Sequence, residues 1–100
     1  MPEILSPEDC STMAEVRAGV DALDERIVTM LGTRMRYMDA AARIKATRDA
    51  VRDEARKAQV IDNAAAVAER VGVPTALIRE LYDRLVEGSI AYEFDKFDAR

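Results

Sequence analysis

From Thr12 to Thr47 apolar residues recur at alternating steps of four and three: Val16, Val20, Leu23, Ile27 and Met30, then Tyr37, Ala41 and Ile44. This spacing predicts one face of a long helix packed against other helices. Arg34 interrupts the stripe where the seam would take Leu. A buried guanidinium is costly unless an anion or a paired side chain meets it, so the position asks for a partner or a ligand.

The polar punctuation sets the boundaries. Ser6-Pro7-Glu8-Asp9 reads as a short capped turn, with Ser6 as N-cap and Pro7 at the first helical position. Thr12 and Glu15 have the spacing of a capping box, which starts the first helix at 12. No Pro occurs between Pro7 and Pro74, and the helix runs to 47, roughly 50 Å in all. One short partner cannot cover that length; shorter segments or a second copy of the chain must.

A mobile loop is expected near 47–52, followed by Asp53 as N-cap of a second helix over 53–71. Val60, Ile61, Ala64, Val67, Ala68 and Val71 form its apolar side, Gly72 suits the left-handed residue after its end, and Pro74 prevents continuation. A third helix, 75–96, carries Leu77, Ile78, Leu81, Leu85, Val86 and Ile90. In it Tyr82, Val86, Ser89 and Glu93 follow at four, three and four, so two polar residues extend an apolar face. Gly88, in the same turn, allows close approach of a backbone or ligand, or is simply tolerated. Ser89 can back-bond to a helix carbonyl, and Glu93 can pair with Lys96 or Arg100.

Composition agrees with an all-α fold. The 100 residues include only four Gly and three Pro, and 49% are hydrophobic. A chain this short makes one domain, 1–100, with a modest core, which makes oligomerisation an expectation. The net charge of −4 speaks against a nucleic-acid surface, so any cationic site must be local. No apolar run approaches a membrane span, and Glu3, Glu8 and Asp9 occupy the place of a basic, apolar leader, so a soluble cytoplasmic protein is expected. With no His and a single Cys, Cys10, zinc sets and Cys–His nucleophiles are excluded. Chemistry must come from Arg, Lys, carboxylates and hydroxyls.

Helix geometry then sorts the cations. Arg34 and Lys45, eleven residues apart, lie within ~20° of each other around a helix and ~16 Å apart along it, so both can reach one small molecule. Arg17 is displaced from Arg34 by roughly 25 Å and about 100°, and joins that site only from a second, antiparallel copy. Arg56, one turn into the second helix, reaches back if the preceding loop is a simple reversal. Taken singly, Arg17, Lys45 and Arg56 are better read as solvated helix charges than as site residues, since 34% of the chain is charged, whereas Arg34 is read equally well either way. Spacing supports a helical dimer with a cationic pocket for a small polyanion.

The ordered set of Arg17, Gly32-Thr33-Arg34-Met35, Ile44-Lys45, Val51 to Arg56 and Ser89-Ile90-Ala91-Tyr92-Glu93 resembles the all-helical chorismate mutase family. Pro7-Glu8-Asp9-Cys10 and the run 35–46 resemble its isochorismate-pyruvate lyase branch, the enzymes that make salicylate. The resemblance implies an intertwined homodimer acting on a small dicarboxylate, in aromatic amino acid or salicylate biosynthesis, with no cofactor and no metal. It makes Arg17 the residue contributed in trans; Arg34 and Arg56 join it in holding two carboxylates. It places Lys45 on the ether oxygen and a carboxylate, Asp53 on the ring hydroxyl, Ser89 at a substrate-binding position, and Glu93 where many members have Gln.

Both family reactions are pericyclic, which implies catalysis by holding a compact substrate conformer and aiming fixed cations at the breaking C–O bond. Lys45, Glu93 and Arg34 are the catalytic candidates, with Glu93 acting only when it is protonated and donates. Lys57 stands where mutases commonly have Glu, a departure that adds charge beside Arg56. Asp53 and Ser89 point to the mutase reaction and the N-terminal third to the lyase reaction. Chorismate mutase is the favoured expectation and isochorismate-pyruvate lyase the alternative. A non-catalytic helical dimer that binds a small polyanion or a partner is the further one.

Overall fold

The computed structural model describes residues 4–100; Met1, Pro2 and Glu3, the last of which entered the reading of the lead-in, lie outside the described residues. Among the described residues the chain is all-helical, with α1 at Met13–Ile44, α2 at Glu54–Val71 and α3 at Thr75–Asp98. Two 3₁₀ turns, Pro7–Asp9 and Arg48–Ala50, complete the order. The chain divides into two compact units, Met1–Arg36 and Tyr37–Arg100, and the division falls within α1. The domain expected over 1–100 spans both.

In the first unit, Pro7 opens its turn as anticipated, but the Ser6 hydroxyl donates to the Asp9 carboxylate at 2.9 Å and makes no backbone cap. The capping box at α1 is complete. The Thr12 backbone N–H donates to Glu15 Oε1 at 3.0 Å, and the Glu15 N–H donates to Thr12 Oγ1 at 3.2 Å. The Ser11 N–H adds a donor at 2.9 Å. Hydrogen bonds from Ser11, then Thr12, hold the Glu15 carboxyl below its ordinary range. Val16, Val20, Leu23, Ile27 and Met30 all remain exposed in the single chain.

The first helix stops at Ile44, three residues short of the expected 47, where the apolar seam itself ends. Thr47 is extended at the N-cap position of the Arg48–Ala50 turn, where its carbonyl accepts from the Ala50 N–H at 3.2 Å and its side chain makes no cap bond. The connection expected as a loop at 47–52 therefore contains a hydrogen-bonded turn, and it inserts Val51 as a buried side chain. Burial of a Val contributes about 1.5 kcal/mol.

In the second unit, Asp53 caps α2 as predicted: its Oδ1 accepts from the Arg56 N–H at 3.0 Å, and the helix begins one residue later, at Glu54. Gly72, at φ 81°, closes α2, and the Val73 N–H returns to the Ala68 carbonyl at 2.9 Å. Pro74 then turns the chain into α3, which runs two residues past the expected 96. α2 and α3 pack on each other as a hairpin.

The hairpin's buried face differs from the one read off the sequence. Ala65, Ala68 and Val86 are buried, whereas Val67 and Val71 on α2 and Leu77 and Leu81 on α3 are exposed. The inward α2 stripe follows Ile61, Ala65 and Ala68, at steps of four and three, and excludes Val67 by its angle around the helix. The inward face of α3 is the second stripe, the one interrupted by Ser89 and Glu93.

Candidate active site

Val86, Ser89 and Glu93 are all buried on α3, the two polar side chains with 4% exposure each. They are the buried polar residues among the described ones. The Ser89 hydroxyl donates to the Leu85 carbonyl at 2.7 Å, the local bond a serine makes inside a helix. Glu93 is met from α1's end of the unit: the Lys45 ammonium donates to its Oε2 at 2.7 Å. Neither Lys96 nor Arg100 is bonded to Glu93. Lys96 lies over the Tyr92 ring at 5.3 Å, and Arg100 donates to backbone carbonyls of residues 42–46.

The two sides of the pair have different access to solvent. The Glu93 side chain is 5% exposed and that of Lys45 29%. A buried carboxylate thus holds an ammonium at the edge of the interior. An ammonium has three donors, and one is used on Glu93. An ammonium held in this way can donate to a bound oxygen without asking water to reorganise.

The neighbouring elements fix this geometry. The Tyr92 hydroxyl donates to Asp39 Oδ1 at 2.7 Å, which ties the turn carrying Glu93 to the end of α1. That bond, with burial adding to it, raises the phenol above its ordinary range. Arg48 makes a fork to Asp98, at 2.9 and 3.2 Å, and lies 4.3 Å from the Phe94 ring centroid. The fork lowers the Asp98 carboxyl and raises the Arg48 guanidinium. Within the single chain a Cβ at Gly88 would meet nothing within 4 Å.

The other expected site residues are placed as follows. Asp53 is exposed and engaged as the α2 cap. Arg56 is exposed, and its Nη1 donates to Gln59 Oε1 at 2.7 Å, along its own helix. Arg17 is exposed and Arg34 half-buried, both on the first-unit part of α1. Of the candidates, Lys45 and Glu93 are brought into contact, with Ser89 one turn before Glu93.

A charge network absent from the sequence reading joins α2 to α3. Lys57 pairs with Asp83 at 3.0 Å and with Glu87 at 2.9 Å. Arg52 forks onto Glu87 at 2.9 and 3.2 Å and also reaches Glu54 at 2.7 Å. Arg52 first, and Lys57 second, hold the Glu87 carboxyl down to about 2. Glu87, then Asp83, raise the Lys57 ammonium, and Glu87, then Glu54, raise the Arg52 guanidinium. Asp83 and Glu87 are four residues apart, which puts both on one helix face; that spacing was the available signal.

Residues 16–94 match the family described as chorismate mutase type II. The isochorismate pyruvate lyase of Pseudomonas aeruginosa PAO1 is 35% identical over 86 residues, 86% of this chain and 85% of that protein.

Proposed function

The chain belongs to the chorismate mutase type II family, and from that membership and the Lys45–Glu93 contact we propose that it rearranges chorismate to prephenate. The carrying observation is an ammonium held 2.7 Å from a carboxylate that is itself buried. A pericyclic step needs no nucleophile; it needs the substrate held compact and negative charge stabilised on the breaking ether oxygen. Lys45 supplies the charge, and the Glu93 carboxylate orients Lys45. Arg34 and Arg56 hold the carboxylates as forks, and Asp53 and Ser89 contact the ring side.

In this reading Arg17 enters from a second copy, because helix dimensions keep it from its own Arg34. Two observations support a homodimer. The stripe Val16, Val20, Leu23, Ile27 and Met30 is exposed in the single chain, and no large side chain among the described residues is fully buried. A 100-residue chain whose buried apolar residues, among the described ones, are three Ala and two Val has little core of its own.

A second reading, elimination of pyruvate from isochorismate to give salicylate, is favoured by one specific observation: the relative 35% identical over 86% of this chain is an isochorismate pyruvate lyase. Both readings use the same cationic frame. Incubation of the purified protein with chorismate and, separately, with isochorismate, followed by identification of products, decides between them. Prephenate is the expected product. Salicylate and pyruvate alone would replace the first reading with the second, and turnover of neither would reject both.

A further inference from the structure

The backbone that carries Lys45 lies just beyond α1, where helical carbonyls lose their partners. Lys45 N–H still bonds to the Ala41 carbonyl at 2.9 Å, but the helix then breaks before Thr47. The exposed acceptors are met from α3's far end. Arg100, just past α3, donates through Nη1 to the Ala42 carbonyl at 3.0 Å and to the Lys45 carbonyl at 2.7 Å, and through Nη2 to the Ala46 carbonyl at 3.4 Å. Its guanidinium stacks on Phe97, 3.6 Å from the ring centroid. The Arg48–Asp98 fork grips the same segment two residues further on.

We propose that Arg100 is a positioning residue for the reaction: it caps the end of α1 from α3 and thereby sets the backbone from which the Lys45 side chain reaches Glu93. The inference rests on the assignment of Lys45 to the reacting oxygen. Three features carry it. The contact is to the Lys45 carbonyl itself. A guanidinium with two Nη groups serves the three carbonyls of residues 42, 45 and 46 at once, which the single nitrogen of an ammonium does less well. A cation at a helix C-terminus also complements the partial negative charge there. Glu93 and Arg100 leave the same end of α3, so the clamp and the pair fix Lys45 at both its backbone and its head.

Arg100→Ala and Arg100→Lys test this. With the active substrate, Arg100→Ala is expected to lower kcat roughly ten- to hundredfold with KM changed less than about threefold, because a displaced cation costs more in the transition state than in binding. Arg100→Lys should recover part of that loss. In parallel, amide hydrogen exchange of the segment 42–48 should accelerate at least about tenfold in Arg100→Ala, with the α2–α3 hairpin unchanged. Wild-type kcat, or unaltered exchange at 42–48, would overturn the proposal. If Arg100→Ala unfolds globally, the same measurements on Arg100→Lys decide it. If the wild-type protein turns over neither substrate, the assignment of Lys45 fails, and the exchange experiment still reports on the clamp.

Discussion

Lys45 Nζ lies 2.7 Å from Glu93 Oε2, a contact made across 48 positions of sequence. The carboxylate is buried and the ammonium is not, so the two partners respond differently to loss of the other.

Removal of the lysine leaves a carboxylate in the interior, whereas neutralising the glutamate leaves a lysine free to turn toward water. Lys45→Ala is expected to cost about 1 to 3 kcal/mol of folding stability, and Glu93→Gln less. Urea denaturation of the two variants checks the order; a Glu93→Gln loss as large as that of Lys45→Ala would contradict it.

Glu87 gives a pH dependence with a definite sign. Its folded-state pKa is depressed from 4.5 to about 2 by Arg52 and Lys57, so its stabilisation is fully present above pH 4.5 and is lost as pH falls through about 2. The difference in denaturation midpoint between wild type and Glu87→Gln should therefore be constant above that window, shrink within it and vanish below it. A difference that persisted below pH 2 would show that the charge is not its source.

Gly72 occupies a left-handed conformation, φ 81°, with open space where a side chain would go. Gly72→Ala should cost about 1 kcal/mol through backbone strain, and Gly72→Asn less, since Asn tolerates this region. Thermal melts of the two variants separate strain from crowding, which would penalise the larger Asn more.

The capping box makes a similar local claim. Thr12→Ala removes one of its reciprocal bonds and should cost about 1 kcal/mol, with exchange accelerated in the first turn of α1. An unchanged melting temperature would contradict it.

How much of this was legible depended on whether a feature was local. Caps at Thr12, Asp53 and Gly72 were readable because the residues that make them are adjacent in sequence. The burial of Ser89 and Glu93 was readable from one helix's periodicity. The exposure of Val67, Val71, Leu77 and Leu81 was not, because an Ala-rich interface carries too little contrast to fix which side of the helix faces in. The Lys45–Glu93 pair, the Glu87 network and the Arg100 clamp join distant positions, and a sequence that is 34% charged offers many equivalent pairings. Composition alone could name the cations of the candidate site; only the fold chose Glu93's partner.

In the proposed reaction the ammonium held by Glu93 stabilises charge developing in the substrate. Single-turnover rates with saturating chorismate, or with isochorismate if that is the substrate, compare wild type with Lys45→Ala most directly. The expected result is a fall of roughly 10²- to 10³-fold in the chemical step, with substrate still bound. A near-normal rate in Lys45→Ala would contradict this role for the lysine.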